Sequence, residues 1–165
     1  MFFCNGCRTQ INWNRFGIID DNSNQSAPAF PTNTDSHKWI ADVNNKNSKE
    51  LEFYAIDNCI RFYKSDEPKN LESTCDCALI DANTVVFIEL KERTSKGWLA
   101  KASSQLINTI ALYKQNDSSA NAKEIIGHIC NSLRPQANRS NMGEMAKFYK
   151  NSGGHKLFIQ KRIDI

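Results

Sequence analysis

At 165 residues, 40% of them hydrophobic, the chain carries enough apolar material for one domain with a real core. Its net charge of +3 is uneven: residues 121–165 hold eight basic against three acidic side chains, a modest skew that suits a polyanionic partner. No run approaches the roughly 20 apolar residues of a membrane span, and the N-terminus lacks the basic-then-apolar layout of a signal peptide, so the expectation is a cytoplasmic protein with no membrane partner.

Residues 1–47 read as an irregular N-terminal extension packed on a core formed by 48–165. Six cysteines without a secretion signal favour reduced thiols over disulfides. Cys4 and Cys7 have the spacing of half a zinc site, and only Cys75 and Cys77 offer a second half, with Cys59 or Cys130 as spares. Whether the first pair binds zinc the spacing leaves open. Residues 20–36, rich in Asn, Asp, Ser, Pro and Thr, read as coil. Residues 37–43 fit a short strand or a helical turn equally.

A helix is expected over 48–64, with Ser48 as N-cap and Ile56, Cys59, Ile60 and Tyr63 as its apolar stripe. Glu52 falls inside that stripe. It is either a buried acid or a first-turn glutamate favoured by the helix dipole and still in water. A polar connection over 65–74 follows.

Residues 75–91 then read as a β-hairpin, with apolar runs at 77–80 and 85–90 around Asp81, Ala82 and Asn83. A two-residue loop at 82–83 sets Ile80 opposite Val85, Ala78 opposite Phe87 and Asp76 opposite Glu89. Lys91, two residues beyond Glu89, shares its face. A one-residue slip would instead set Asp76 against Ile88. Both faces of the hairpin are apolar in the middle, the mark of a central pair covered on both sides. Two carboxylates at the end of such a buried sheet are costly without partners or a metal ion. Against that stands the plainer alternative of a solvated Glu89–Lys91 pair. The thiols of Cys75 and Cys77, flanking Asp76, point away from its face.

A second amphipathic helix is expected over 98–115, with Leu99, Ala102, Leu106, Ile110 and Tyr113 as its stripe and Gln105 at the edge. An apolar strand follows at 124–130, then a short helix around 142–149. Gly153 and Gly154 break that helix, and the alternation over 155–165 suggests an edge strand.

Asp76 on one strand and Glu89-Leu90-Lys91 on its hairpin partner, after one helix and before another, resemble the PD-(D/E)XK nuclease superfamily, the restriction-endonuclease-like fold. The likeness covers residues 48–116, with Cys75 in place of the proline that names the motif. Thr109 stands four residues after Gln105, so the Gln-x3-Tyr of the RecB-like branch is missing. The resemblance implies an α/β fold, a mixed sheet flanked by helices in the order α-β-β-α-β-β. It implies a metal-dependent nuclease, hydrolysing DNA ahead of RNA, with Asp76, Glu89, Lys91 and Gln105 catalytic. Glu52, Asp76 and Glu89 would hold Mg²⁺ or Mn²⁺, hard cations that suit carboxylate oxygens. Lys96, Lys101, Arg134, Arg139, Lys147 and Lys150 would grip the nucleic-acid backbone. A homodimer or a partner protein is compatible with it. The alternative is a nuclease fold kept as a catalytically silent binding or interaction module.

Overall fold

The computed structural model describes residues 1–21, 26–67, 69–92, 95–134 and 141–165. Along the chain come β1 (Arg8–Ile11), β2 (Arg15–Ile19), β3 (Phe30–Thr32), β4 (Ala41–Asn44), β5 (Leu51–Ala55), β6 (Cys77–Ile80) and β7 (Thr84–Lys91). Then follow α1 (Trp98–Asn116), β8 (Glu124–Asn131), α2 (Met142–Ser152), β9 (Lys156–Ile159) and β10 (Arg162–Asp164). The result is a mixed α/β architecture of two helices and two mixed sheets. The six-stranded sheet runs β1-β5-β6-β7-β8-β9 and the four-stranded sheet β10-β4-β2-β3.

The hairpin forms as its sequence dictates. Asp81 folds its carboxylate back, Oδ1 accepting from the amides of Asn83 at 2.8 Å and Thr84 at 2.7 Å. That side-chain turn leaves Ala82 and Asn83 as the loop. The register is the expected one, Ile80 opposite Val85 and Ala78 opposite Phe87. With two strands on either side, β6 and β7 are central, and every residue from Cys77 to Ile80 and from Val85 to Leu90 is buried. On one face Ala78, Ile80, Val85 and Phe87 pack against Leu106, Ile110 and Tyr113 of α1 and Phe148 of α2. On the other, Leu79, Val86, Ile88 and Leu90 meet Phe16, Ile18 and Val43 of the smaller sheet. Helices thus cover one side and the second sheet the other. The α1 and α2 crossovers carry the chain into the parallel strands β8 and β9. Gly127 lets α2 approach, because a Cβ there would lie 2.6 Å from the Phe148 ring.

Two expectations fail. The helix over 48–64 is absent: its first half is β5, antiparallel to β6 and to β1. Leu51, Phe53 and Ala55 face the smaller sheet, while Tyr54 and Ile56 face the helices. Aromatic and apolar residues on both faces are what a covered strand needs. Ser48 has φ 46° and Asn58 φ 61°, left-handed turns rather than helix ends. The N-terminal extension is not irregular either. It supplies the edge strand β1 and three of the four strands of the smaller sheet. Buried Asn45 ties it in, its side chain bonding the carbonyls of Trp13 and Lys49 and the amide of Lys49 at 2.9–3.1 Å. The C-terminal stretch divides, β9 edging the large sheet and β10 pairing in parallel with β4.

The cysteines are also not all reduced. Cys7 and Cys59 form a disulfide across 52 residues, leaving Cys4 exposed and Cys75, Cys77 and Cys130 buried as thiols. This takes Cys7 out of any zinc pair. Of the two cysteines flanking Asp76, Cys77 points into the core between the sheets and Cys75 sits on the helix side. Closing so long a loop removes freedom from the unfolded chain, and its reduction is expected to cost on the order of 2–4 kcal/mol. The measurement is the urea midpoint with and without dithiothreitol. A Cys59→Ser variant with an unchanged midpoint would show that the bond contributes nothing. Among the described residues, no helix is long and apolar enough to cross a membrane.

Candidate active site

The antiparallel run β5–β6–β7 brings the end of β5, the start of β6 and the end of β7 to one edge of the sheet. Asp76 enters β6 there. Its carbonyl accepts from the amides of Ile56 at 2.9 Å and Asp57 at 3.3 Å, and its Oδ2 accepts from the Leu90 amide at 2.6 Å. Glu89, one residue earlier on β7, is fully buried. Its Oε1 pairs with Lys91 Nζ, while its Oε2 is buried with no hydrogen-bond partner among the described residues. Lys91 Nζ also lies 3.4 Å from Gln105 Oε1, and Gln105 Nε2 donates to the Thr74 carbonyl at 3.0 Å. Next to it on α1, Thr109 Oγ1 accepts from the Cys75 amide at 2.8 Å. The helix therefore grips the segment leading into Asp76 and the lysine facing it. Asp76, Glu89, Lys91 and Gln105 are brought together as the sequence implied.

Burial governs the electrostatics. It raises the Asp76 carboxyl from its ordinary 3.8 to about 7, against the pull of the Leu90 amide and the Lys91 charge. The charges of Asp20 and Asp57 push the same way as burial. Glu89 is raised well above its ordinary value, first by burial and then by Asp76, with Lys91 opposing. A buried carboxyl raised by the charge of its neighbour titrates coupled to it.

A cleft of about 780 Å³ opens over this edge, lined by Asp76, Lys91 and Gln105 and by three side chains the sequence reading missed: Asp20, Asp57 and Trp98. Asp57 lies two residues beyond the end of β5, and Asp20 directly follows β2. Burial and the nearby Asp57 charge raise the Asp20 carboxyl. The available signal was an acid placed straight after an apolar strand, as in Phe-Gly-Ile-Ile-Asp20.

Glu52 does not join them. It lies on β5 opposite Ile80, which in turn faces Val85. Val85 is four residues short of Glu89, about 13 Å along the strand at ~3.3 Å per residue. Its carboxylate instead pairs with Arg8 at 2.9 Å, both side chains 38% exposed. The acid was misplaced because the helix that would have carried it inward is a strand. Of the basic side chains, Lys96 and Lys101 line the cleft. Arg134 after β8 and Lys147 and Lys150 on α2 are exposed and do not line it. Arg139 lies outside the described residues.

Among the described residues, no three Asp, Glu, His or Cys side chains are gathered as a coordination set. What is present is an unpartnered buried carboxylate oxygen on Glu89, beside a second carboxylate whose charged form burial opposes. That donor set fits a hard cation bound through one or two carboxylates and keeping several waters, the habit of Mg²⁺. Compared with protein-family models, curated proteins and solved structures, the chain matches none.

Proposed function

We propose that this protein is a metal-dependent nuclease of restriction-endonuclease-like architecture, hydrolysing phosphodiester bonds of nucleic acid, DNA ahead of RNA. The observation that carries this reading is the buried Glu89, ion-paired to Lys91 through one oxygen and unpartnered at the other, beside Asp76. The meander β5–β6–β7, followed by α1 and the parallel strand β8, supports the same fold assignment. Residues 48–165 supply the reacting groups and 1–47 an extension that contributes Asp20.

Asp76 and Glu89 would hold Mg²⁺ or Mn²⁺. Such an ion supplies a bound water of lowered pKa and positive charge against the phosphate oxygens. The rest falls to the chain's own groups. Gln105 and Glu89 hold the Lys91 ammonium facing the cleft, where it orients the attacking water and stabilises charge as it builds on the phosphate. Asp20 and Asp57 raise the proton affinity of Asp76, so that cation binding and proton release are coupled at this edge.

The test incubates the purified chain with mixed DNA and RNA substrates in Mg²⁺, Mn²⁺ or chelator. Expected are cleavage with either cation and none in chelator. Cleavage that persists in chelator, or is absent with both ions, overturns the proposal. One observation favours a second reading, a silent binding module: among the described residues no three-ligand set is assembled. Binding of nucleic acid with no turnover in either cation would select it.

A further inference from the structure

We propose that the cleft takes a single strand of nucleic acid, with its phosphates on Lys96 and Lys101 and a base stacked on Trp98. The inference rests on the nucleolytic reading and narrows its substrate.

The two sides of the cleft come from different layers. Trp98 and Lys101 belong to the first turns of α1, with Lys96 just ahead of it, on the helix side of the large sheet. Asp20 arrives from the end of β2, on the opposite face, and Asp57 from the end of β5. Lys96 and Lys101 therefore stand on the helix side and Asp20 and Asp57 across from them, with Asp21, Asp76 and Glu92 also lining the cleft. A single strand carries a phosphate every ~3.4 Å, so one such backbone can set phosphates on Lys96 and Lys101. A second backbone would have to lie against Asp20 and Asp57, where like charge repels it.

Size points the same way. At about 780 Å³ the cleft is in the range of small-molecule sites, roughly 300–1,000 Å³, which suits a nucleotide or two rather than a double helix. Trp98 gives the strand something to hold besides charge. Its indole is half-buried, packed against the helix-side core and also lining the cleft. An aromatic face fixed by packing and flanked by lysines is how proteins hold unpaired bases without reading sequence. In a duplex that face would find its target bases already stacked on their neighbours.

The experiment uses the full chain carrying Glu89→Gln, so that substrate is not consumed, and fluorescein-labelled oligonucleotides in Mg²⁺. The probes are a deoxythymidine 12-mer, a uridine 12-mer and a 12-base-pair DNA duplex. Expected is tenfold or tighter binding of at least one single strand over the duplex, with quenching of indole emission. The two single strands show which sugar is preferred. Trp98→Leu keeps the apolar contact with the core but has no π face, and should weaken single-strand binding about tenfold or more. Trp98→Phe should restore most of it. Lys101→Ala should flatten the salt dependence by about 0.7 in slope. Duplex binding as tight as single-strand binding, or Trp98→Leu binding like the parent, overturns the inference. If the wild-type chain still cleaves duplex under those outcomes, the nucleolytic reading stands without it. If no nucleic acid is bound or cleaved, both fall.

Discussion

Glu89→Gln and Lys91→Ala are each expected to slow metal-dependent phosphodiester hydrolysis on the order of 10³-fold, equivalent to about 4 kcal/mol of transition-state stabilisation. Glu89 is fully buried and offers its free Oε2 beside Asp76. An amide there cannot supply the negative charge a cation needs. Lys91 is the cation held by Glu89 and Gln105 at the cleft, so under the proposed nuclease reading its loss would remove positive charge facing the reacting phosphate. The fold should persist in both variants. Glu89→Gln relieves carboxyl crowding, and in Lys91→Ala the buried Glu89 charge left without its lysine can be quenched by a proton, since burial already raises that carboxyl. The discriminating control is Glu52→Ala. It breaks a half-exposed ion pair with Arg8 worth no more than ~1 kcal/mol, and should leave cleavage unchanged. Rates are compared in Mn²⁺ with circular dichroism as the check on folding. A Glu89→Gln enzyme within tenfold of wild type would remove Glu89 from the chemistry.

What the sequence made legible was short-range. The hairpin register follows from a period of two and from one aspartate that folds onto its own loop, both confined to residues 75–91. The helix at Trp98–Asn116 follows from a stripe long enough to be unambiguous. These two elements alone bring Asp76, Glu89, Lys91 and Gln105 together.

The misreadings share a cause. Ile56, Cys59, Ile60 and Tyr63 mimic a helical stripe, yet in the fold they serve four separate purposes. Ile56 is core, Cys59 is disulfide-bonded, Ile60 packs at the margin and Tyr63 is exposed. Apolar spacing does not distinguish a helix face from a covered strand running into turns. The strands of residues 1–47 are three to five residues long, and their partners include β5 and β10, far along the chain. No local pattern announces such pairing. Asp20 shows in the sequence only as an acid after an apolar run, since its place in the cleft is fixed by one sheet packing on another. Trp98 was read only as the start of a helix, because nothing in the sequence says which side of its ring the core leaves uncovered.

Asp76→Asn is expected to stabilise the metal-free protein at pH 8, by up to about 4 kcal/mol, and to have little effect near pH 4. The native carboxyl is raised from 3.8 to about 7, chiefly by burial, so between those values the folded protein holds a proton that the unfolded chain releases. Its contribution to stability is full below about pH 4 and is lost as pH rises through 7. Glu89 is raised in the same direction and adds to the loss as pH rises. An asparagine has no charge to desolvate, and its side-chain carbonyl can still accept from the Leu90 amide that now binds Asp76. Buried His128 works with the opposite sign. Its pKa is lowered to about 4, so it withdraws stability as pH falls below its ordinary 6.5. Wild type and variant must therefore be compared at the same pH, where the histidine cancels. Urea midpoints in chelator at pH 4.5 and pH 8 give the two differences. Adding Mn²⁺ at pH 8 should then raise the wild-type midpoint and leave Asp76→Asn nearly unmoved, because a ligand stabilises only the fold that binds it. A variant destabilised equally at both pH values would mean that Asp76 is structural and that its burial carries no stored cost for a cation to relieve.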